Sequence, residues 1–134
     1  MHCAFQDDEN VYLVLDLCPG GDLFWLSHGQ DSGRLPEYAA KFYAAESVLA
    51  LADLHARGVI HRDVKPENLM LDVDGHVRIG DFGVAARLRA EAAFEQPSVR
   101  GLSGTINFMP PEVFVKARKH DHRADMYALG VTIH

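Results

Sequence analysis

Residues 61–83 decide the fold, and they read HRDVKPENLMLDVDGHVRIGDFG. Two short β-prone runs, 69–71 and 76–79, flank Asp74-Gly75, a dipeptide that favours a tight hairpin turn. The second run alternates apolar and polar residues, as expected of a strand with one buried face. The stretch therefore predicts an antiparallel hairpin.

The hairpin explains why polar residues that are distant in sequence belong together. Asn68 precedes the first strand and Asp81 follows the second, so the pairing places both side chains at the same open end. Asp63 lies five residues before Asn68 in a tight loop, with Lys65 between them. Carboxylate and amide oxygens are ligands of Mg²⁺, which usually completes its shell with water and phosphates. A lysine beside them suits the phosphate, so these residues predict a magnesium and phosphate site.

A long helix is predicted upstream, from Pro36-Glu37 to about Arg57. Proline at the first helical position and an acid in the first turn favour a helix start, and Gly58 suits a left-handed C-cap. Apolar residues recur at spacings of three and four, which predicts one buried face. The residues of this predicted face are Ala39, Phe42, Ala45, Leu49, Ala52 and His55.

The flanking regions give weaker signals. Val11–Leu15 is apolar and β-prone, which predicts a strand buried on both faces with neighbours on either side. Pro19-Gly20-Gly21 predicts a turn, and Asp22 suits the N-cap of a short helix. Residues 84–105 are mixed and polar and predict a long loop, and residues 126–134 have helical character.

Composition excludes several classes of protein. The 134 residues carry 13 Lys and Arg against 19 Asp and Glu, a net charge of −6, which argues against a nucleic-acid-binding module. Cys3 and Cys18 are too few for a secreted disulfide scaffold. No apolar run approaches the roughly 18 residues of a membrane span. We therefore expect a soluble, cytosolic (cytoplasmic) protein.

Several of these motifs resemble those of protein kinases. His61-Arg62-Asp63 with Asn68, followed by Asp81-Phe82-Gly83, is similar to the family's catalytic loop and metal-binding motif. Pro110-Pro111-Glu112 resembles the Ala-Pro-Glu motif, and residues 125–130, DMYALG, resemble the start of the next large helix. The motifs occur in the order typical of the family, which makes the resemblance specific.

The details of the resemblance indicate a subgroup and a fold. Lys65-Pro66-Glu67-Asn68 is similar to serine/threonine kinases, and the first half of the chain resembles the AGC group, nearest its Rho-kinase and myotonic-dystrophy-kinase-like members. The resemblance implies an α+β, protein-kinase-like fold that is incomplete. Residues 1–15 would be small-lobe strands, 16–22 the hinge, and 23–134 the large lobe through the start of its central helix.

The resemblance also implies phosphoryl transfer from ATP to Ser or Thr hydroxyls of protein substrates. Asp63 would accept the proton of the hydroxyl, and Lys65 would stabilise the transferred phosphoryl group. Asn68, a third catalytic residue, and Asp81 would hold Mg²⁺. The implied ATP-binding residues are Leu15 at the gate of the pocket, Asp16, Leu17 and Cys18 in the hinge, Asp22 near the ribose, Met70 below the adenine, and Lys65, Glu67, Asn68 and Asp81. Thr105 would contact Asp63 and Lys65.

Three features allow more than one interpretation. His61 has the chemistry of a base or metal ligand, but packing against Phe82 is favoured. Cys18 is favoured as a small hinge residue over a reactive thiol. Asp22 and Glu67 resemble acids that meet the substrate, so we expect a preference for Arg or Lys upstream of the target Ser or Thr.

Arg62 resembles an arginine that binds a phosphate on the long loop. The usual phospho-acceptor position is Gly101 here, and Ser98 and Ser103 are the nearby alternatives. Control of the loop by phosphorylation is therefore a hypothesis with a weakened premise.

Two kinase features do not occur in the 134 residues: the Gly-rich loop and the lysine strand of the small lobe. We therefore expect the isolated chain to be inactive and Val11–Leu15 to leave an apolar edge. One hypothesis is that the chain is a truncated part of an enzyme. The other is a non-catalytic binding or decoy module whose exposed edge is covered by a partner.

Overall fold

A computed structural model of the protein describes residues 1–88, 98–99, 101–114 and 121–134. Within these residues the chain forms short antiparallel strand pairs and helices. The strands are β1 (Cys3–Gln6), β2 (Val11–Val14), β3 (Val59–Ile60), β4 (Leu69–Leu71), β5 (Val77–Ile79) and β6 (Ala86–Arg87). The helices are α1 (Leu23–His28), α2 (Glu37–Ala56) and α3 (Arg123–Ile133), with short 3₁₀ turns at Pro66–Asn68, Ile106–Phe108 and Pro111–Phe114.

The N-terminal hairpin consists of β1 and β2, which pair in register from Cys3 opposite Val14 to Gln6 opposite Val11. Every residue of both strands is exposed. The prediction of a strand buried on both faces is therefore wrong. Within the described part of the chain β2 pairs only with β1, so its apolar side chains have no second layer to pack against.

The bounds predicted for the long helix are confirmed by α2, and Gly58 adopts the predicted left-handed conformation, with φ of +69°. Pro36 is the N-cap rather than the first helical residue. The predicted buried face is wrong, because Leu49 and Phe42 on that face are 70% and 45% exposed. Instead the face directed at the core carries Ala40, Tyr43, Ala44, Ser47, Leu51 and Leu54. Apolar residues occur all round this helix, so its periodicity alone does not select a face.

The central hairpin consists of β4 and β5, and it confirms the predicted hairpin. Leu69 pairs with Ile79 and Leu71 with Val77, and the turn is closed by Gly75 at φ of +82°, a conformation that favours glycine. Its inward face lies in the hydrophobic core. The buried members of that core are Leu23, Leu51, Val64, Leu69, Leu71, Val77, Ala128 and Leu129.

The predicted loop over 84–105 contains a short strand, β6, whose Arg87 and Ala86 pair with Val59 and Ile60 of β3. A two-residue strand has no periodicity from which to predict it. The rest of this loop prediction falls partly on residues 89–97 and 100, which lie outside the described residues.

The two shorter helices agree with the sequence. Asp22 caps α1, because its Oδ1 accepts a hydrogen bond of 2.7 Å from the Trp25 N–H. The helical segment predicted over 126–134 is confirmed by α3, which begins three residues earlier, at Arg123. None of the helices in the described ranges is long and apolar enough to cross a membrane.

Candidate active site

The side chain of His61 holds the loop between β3 and β4 in place. This side chain is fully buried, its Nε2 lies 2.8 Å from the Gly80 carbonyl oxygen, and its ring packs edge-on against Phe82 at 5.0 Å between centroids. The preferred interpretation of His61 as a packing residue is confirmed. Its ring thereby connects the loop that carries Asp63 to the segment that carries Asp81.

Asp125 at the start of α3 is a residue whose importance the sequence did not reveal. It is 1% exposed, and its carboxylate accepts hydrogen bonds from the backbone N–H groups of His61 and Arg62, each at 2.8 Å. His55 Nε2 lies 2.7 Å from the same carboxylate. The sequence contains one signal for this role, because Asp125 is an acid in a mostly apolar helix. An acid is rarely buried in such a helix unless it has partners.

The hydrogen bonds from Asp125 hold Arg62 in an unusual backbone conformation. Arg62 has φ of +69°, and its guanidinium Nε donates to the Val84 carbonyl at 2.5 Å. Gly101, at the position where phosphorylation was considered, has φ of +103°, a conformation that L side chains rarely adopt. In this conformation the Arg62 guanidinium bonds to a neutral backbone carbonyl downstream of Asp81.

Asp63 lies at the centre of a polar cluster. Its Oδ1 accepts hydrogen bonds from Thr105 Oγ1 at 2.6 Å and from the Thr105 N–H at 2.7 Å, and its Oδ2 lies 2.9 Å from Lys65 Nζ. Lys65 Nζ also donates to Thr105 Oγ1 at 2.8 Å. The contact expected of Thr105 with Asp63 and Lys65 is present.

The charge states of this cluster follow from its contacts. Burial raises the pKa of Asp63, but the hydrogen bonds from Thr105 and Lys65 outweigh burial and hold that pKa below its ordinary value. The hydrogen bond to Asp63 raises the pKa of Lys65. At neutral pH the cluster therefore holds a carboxylate and an ammonium side by side.

The approach of Thr105 to Asp63 depends on Gly104. This glycine has φ of +106°, and a Cβ there would collide with the backbone carbonyl oxygen of Arg62. A crevice beside the cluster is lined by Asp63, Thr105, Phe108 and Pro110.

Asn68 and Asp81 lie at the open end of the central hairpin, as the sequence predicted. The Gly80 N–H donates to the Asn68 carbonyl at 2.9 Å, which closes that end. Asn68 Nδ2 donates to the Asp63 carbonyl and to Asp63 Oδ2, at 2.8 and 3.1 Å. Asp81 is exposed, has φ of +55°, and accepts a hydrogen bond from the Gly83 N–H at 3.1 Å.

The oxygen atoms of Asn68 and Asp81 suit Mg²⁺ better than a metal ion whose ligands all come from the protein. Asn68 is 7% exposed, and no described residue donates to its Oδ1, so a buried acceptor is left to a ligand. In the described ranges no three His, Cys, Asp or Glu residues cluster as a metal site. An amide and a carboxylate suit a hard ion that takes its other ligands from water and phosphates.

The other nucleotide-binding residues predicted from the resemblance, apart from Lys65, Asn68 and Asp81, lie in three places. Met70 and Asp22 are joined by a β-bridge beside the central hairpin. Leu15 and Leu17 are 54% and 84% exposed, and Asp16 is paired with His2 at 2.8 Å. The two remaining residues are Cys18, a half-buried free thiol, and Glu67, which is exposed beside Asn68.

Comparison with known proteins gives one consistent family. The protein kinase domain family matches residues 1–134. The chain is 43% identical to serine/threonine-protein kinase sck1 of Schizosaccharomyces pombe over 131 residues, and 44% identical to human ribosomal protein S6 kinase alpha-2 over 131 residues. It is 42% identical to human serine/threonine-protein kinase MRCK gamma over 136 residues.

These alignments cover 97% of this chain for sck1 and 98% for the two human proteins, but only 18%, 17% and 8% of the respective relatives. The chain therefore spans less than a fifth of their length. The identities are similar, so they do not single out one branch of the group. The assignment to AGC-type serine/threonine kinases and the α+β, kinase-like fold predicted from the sequence are confirmed.

Proposed function

The chain belongs to the protein kinase family, and on this basis we propose that its protein transfers the γ-phosphoryl group of ATP to Ser or Thr hydroxyls of protein substrates. The observation that carries the proposal is the cluster of Asp63, Lys65, Thr105 and Asn68 around one carboxylate. Positioning and electrostatic stabilisation supply most of the rate in phosphoryl transfer, and this cluster offers both.

Each residue of the cluster has a separate role in this proposal. Asp63 is ionised, so it accepts the hydrogen bond and then the proton of the substrate hydroxyl. Lys65 is protonated and compensates charge on the phosphoryl oxygens. Thr105 keeps both side chains in place, because its hydroxyl bonds to each of them.

The metal and nucleotide belong to the same proposal. Asn68 Oδ1 and the Asp81 carboxylate would hold Mg²⁺, which when bound would neutralise charge on the ATP phosphates. Asp16, Leu17 and Cys18 would form the hinge that meets adenine, with Leu15 at the gate of the pocket behind it. Met70 would lie below the adenine, and Asp22 would lie near the ribose. Asp22 Oδ1 is already engaged as a helix cap, so Oδ2 is the atom left for the nucleotide.

Two acidic residues near the cluster, Glu67 and Asp22, suggest the kind of substrate. Glu67 is exposed beside Asn68, and the half-buried Asp22 lies near the other side of the hairpin. We propose that they attract Arg or Lys upstream of the target Ser or Thr. A peptide array should show this basic preference, and a flat profile at upstream positions would exclude it.

We further propose that the 134 residues alone do not catalyse the reaction. Residues 1–15 correspond to small-lobe strands, 16–22 to the hinge and 23–134 to the large lobe, and no Gly-rich loop or lysine strand occurs in this sequence. ATP phosphates would lack their cover and their lysine.

The two free cysteines agree with the cytosolic location that we propose.

Phosphate transfer to a Ser-containing basic peptide tests the proposal. We expect activity in the complete kinase that carries this chain, a loss of at least about a thousandfold in Asp63→Asn, and none in the 134 residues alone. Asp53→Asn, an exposed acid on α2 paired with Arg57, is the matched control. An inactive complete protein that still binds a partner through the exposed hairpin would favour the non-catalytic alternative.

A further inference from the structure

The central hairpin is held at both of its outer edges. On the β4 side, the Gly20 N–H donates to the Leu71 carbonyl at 3.1 Å, and the Leu71 N–H donates to the Gly21 carbonyl at 2.8 Å. On the β5 side, the Val77 N–H donates to Glu46 Oε2 of α2 at 2.8 Å. The hairpin is therefore fixed between the hinge segment and one carboxylate of α2.

The bond pattern explains why Val77 needs this partner. The Asp72 N–H donates to the His76 carbonyl, and the Gly80 N–H donates to the Asn68 carbonyl, so His76 and Gly80 are in the hydrogen-bonded pairs of the ladder. Along an antiparallel pair, hydrogen-bonded and non-hydrogen-bonded pairs of residues alternate, so Val77, directly after His76, directs its N–H outward from the ladder. The N–H of Val77 would otherwise be an unpaired donor at a nearly buried position.

Glu46 makes a second contact with the same strand. Its Oε1 lies 2.6 Å from His76 Nδ1, and the Glu46 side chain is 22% exposed against 56% for His76. Burial raises the pKa of Glu46, but the hydrogen bonds from Val77 and His76 outweigh burial and hold that pKa below its ordinary value. The hydrogen bond and charge of Glu46 raise the pKa of His76.

We propose that Glu46 is a positioning residue that holds β5 against α2 and so fixes Asp81 relative to Asn68. The proposal rests on the proposed function, because it assigns to Glu46 an effect on that metal site. From Val77 the strand runs through Ile79 to Gly80 without interruption, and Asp81 follows Gly80. A shift of β5 along β4 would therefore move Asp81 away from Asn68.

The state of this contact depends on pH. The charged groups that act on His76 are Glu46 of α2 and Asp72 and Asp74 of the turn, and Asp72 is itself paired with the Arg78 guanidinium. The ion pair exists while Glu46 is ionised and His76 is protonated. Above the raised pKa of His76 only the bond to Val77 and a neutral hydrogen bond remain, so β5 is held less tightly.

The test uses hydrogen exchange at the Gly80 N–H, which reports the closed end of the hairpin beside Asn68. In the 134-residue chain, Glu46→Ala should speed this exchange on the order of tenfold, because a charge-assisted bond to a backbone donor is lost. Glu46→Gln retains an oxygen for the Val77 N–H and should restore most of the protection, while the pKa of His76 falls towards its ordinary value. Glu37→Gln, on the same helix and paired only with Lys41 at the surface, is the matched control.

A second measurement separates positioning from general support. In the complete kinase, Glu46→Ala should raise the Mg²⁺ concentration for half-maximal activity about tenfold, with a smaller change in kcat, and Glu46→Gln should reverse most of this. The proposal is overturned if Glu46→Ala leaves the exchange of the Gly80 N–H unchanged or leaves the Mg²⁺ requirement unchanged. It is also overturned if α1 and α3 lose as much protection as Gly80. Failure of the proposed function would instead appear as an inactive parent protein.

Discussion

The two hairpins of this protein have the same local structure and opposite surroundings. Both are antiparallel pairs of short strands with a regular register. In the N-terminal hairpin all strand residues are exposed, and in the central hairpin Leu69, Leu71 and Val77 are buried. Isolated two-stranded hairpins are marginally stable in water, so what surrounds each pair decides its stability.

The contacts of the two hairpins show how this difference arises. At the tip of the N-terminal hairpin, Asp7 accepts hydrogen bonds from the Glu9 and Asn10 N–H groups, and Phe5 stacks on Tyr12 at 4.9 Å between centroids. These contacts are all local. The central hairpin is held by the core, by the backbone of Gly20 and Gly21 and by Glu46, so of the two hairpins it is the one fixed by contacts with distant parts of the chain.

Replacing Asp125 should have the largest effect on stability. Asp125→Ala leaves the buried His61 N–H and the half-buried Arg62 N–H without their acceptor beside the central hairpin, and we expect a loss of about 4 kcal/mol in the free energy of unfolding. Asp16→Ala, next to the N-terminal hairpin, removes only a surface ion pair and should cause no measurable change. Urea unfolding measures both, and a similar effect of the two variants would contradict the comparison.

A matched pair of leucines compares the hairpins directly. Leu71→Ala in the central hairpin should cost about 3 kcal/mol, because it leaves a cavity in the core. Leu13 is 59% exposed, so Leu13→Ala should stay within about 0.5 kcal/mol. Urea unfolding measures both losses of stability. A cost above about 1 kcal/mol for Leu13→Ala would show that the N-terminal hairpin is covered in solution.

The hairpins should also differ in their response to pH. The lowered pKa values of Asp7 and Glu46 mean that each hairpin loses stability as pH falls from the ordinary carboxyl pKa through the lowered one, because the unfolded state takes up the proton first. The raised pKa of His76 contributes stability that is complete below its ordinary value of 6.5 and lost as pH rises through the raised value. After correction for the intrinsic exchange rate, raising the pH from about 6 to 9 should therefore loosen only the central hairpin. Equal alkaline loosening of both would contradict this.

The smallest effect is expected at the tip of the N-terminal hairpin. The Tyr12 hydroxyl donates to Asp7 Oδ2 at 2.8 Å in an exposed position. Tyr12→Phe removes this bond, and the change in the free energy of unfolding should stay within about 0.5 kcal/mol. The pKa of Asp7, followed by NMR titration, should rise slightly because one of its donors is lost. An unchanged pKa would mean that the bond does not persist in solution.

Much of the candidate site could be predicted because it depends on residues that are close in sequence. The bounds of α2, the turn at Asp74-Gly75 and the pairing of β4 with β5 follow from caps, turn residues and alternation. The meeting of Asn68 and Asp81 is a geometric consequence of that hairpin. The roles of Asp63 and Lys65 came from resemblance to a family, and they stay predictions.

The features that could be predicted from the sequence alone are therefore local: helix bounds, one hairpin and the polar residues at its end. The tertiary structure decided which face of α2 is buried, that Asp125 holds a loop more than 60 residues away, and that Glu46 reaches Val77 across 31 residues. Local propensity acts through neighbours in the chain, whereas these contacts depend on how separate elements pack. Apolar residues occur all round α2, so its packing against β5, α3 and β3 selects the face that it buries.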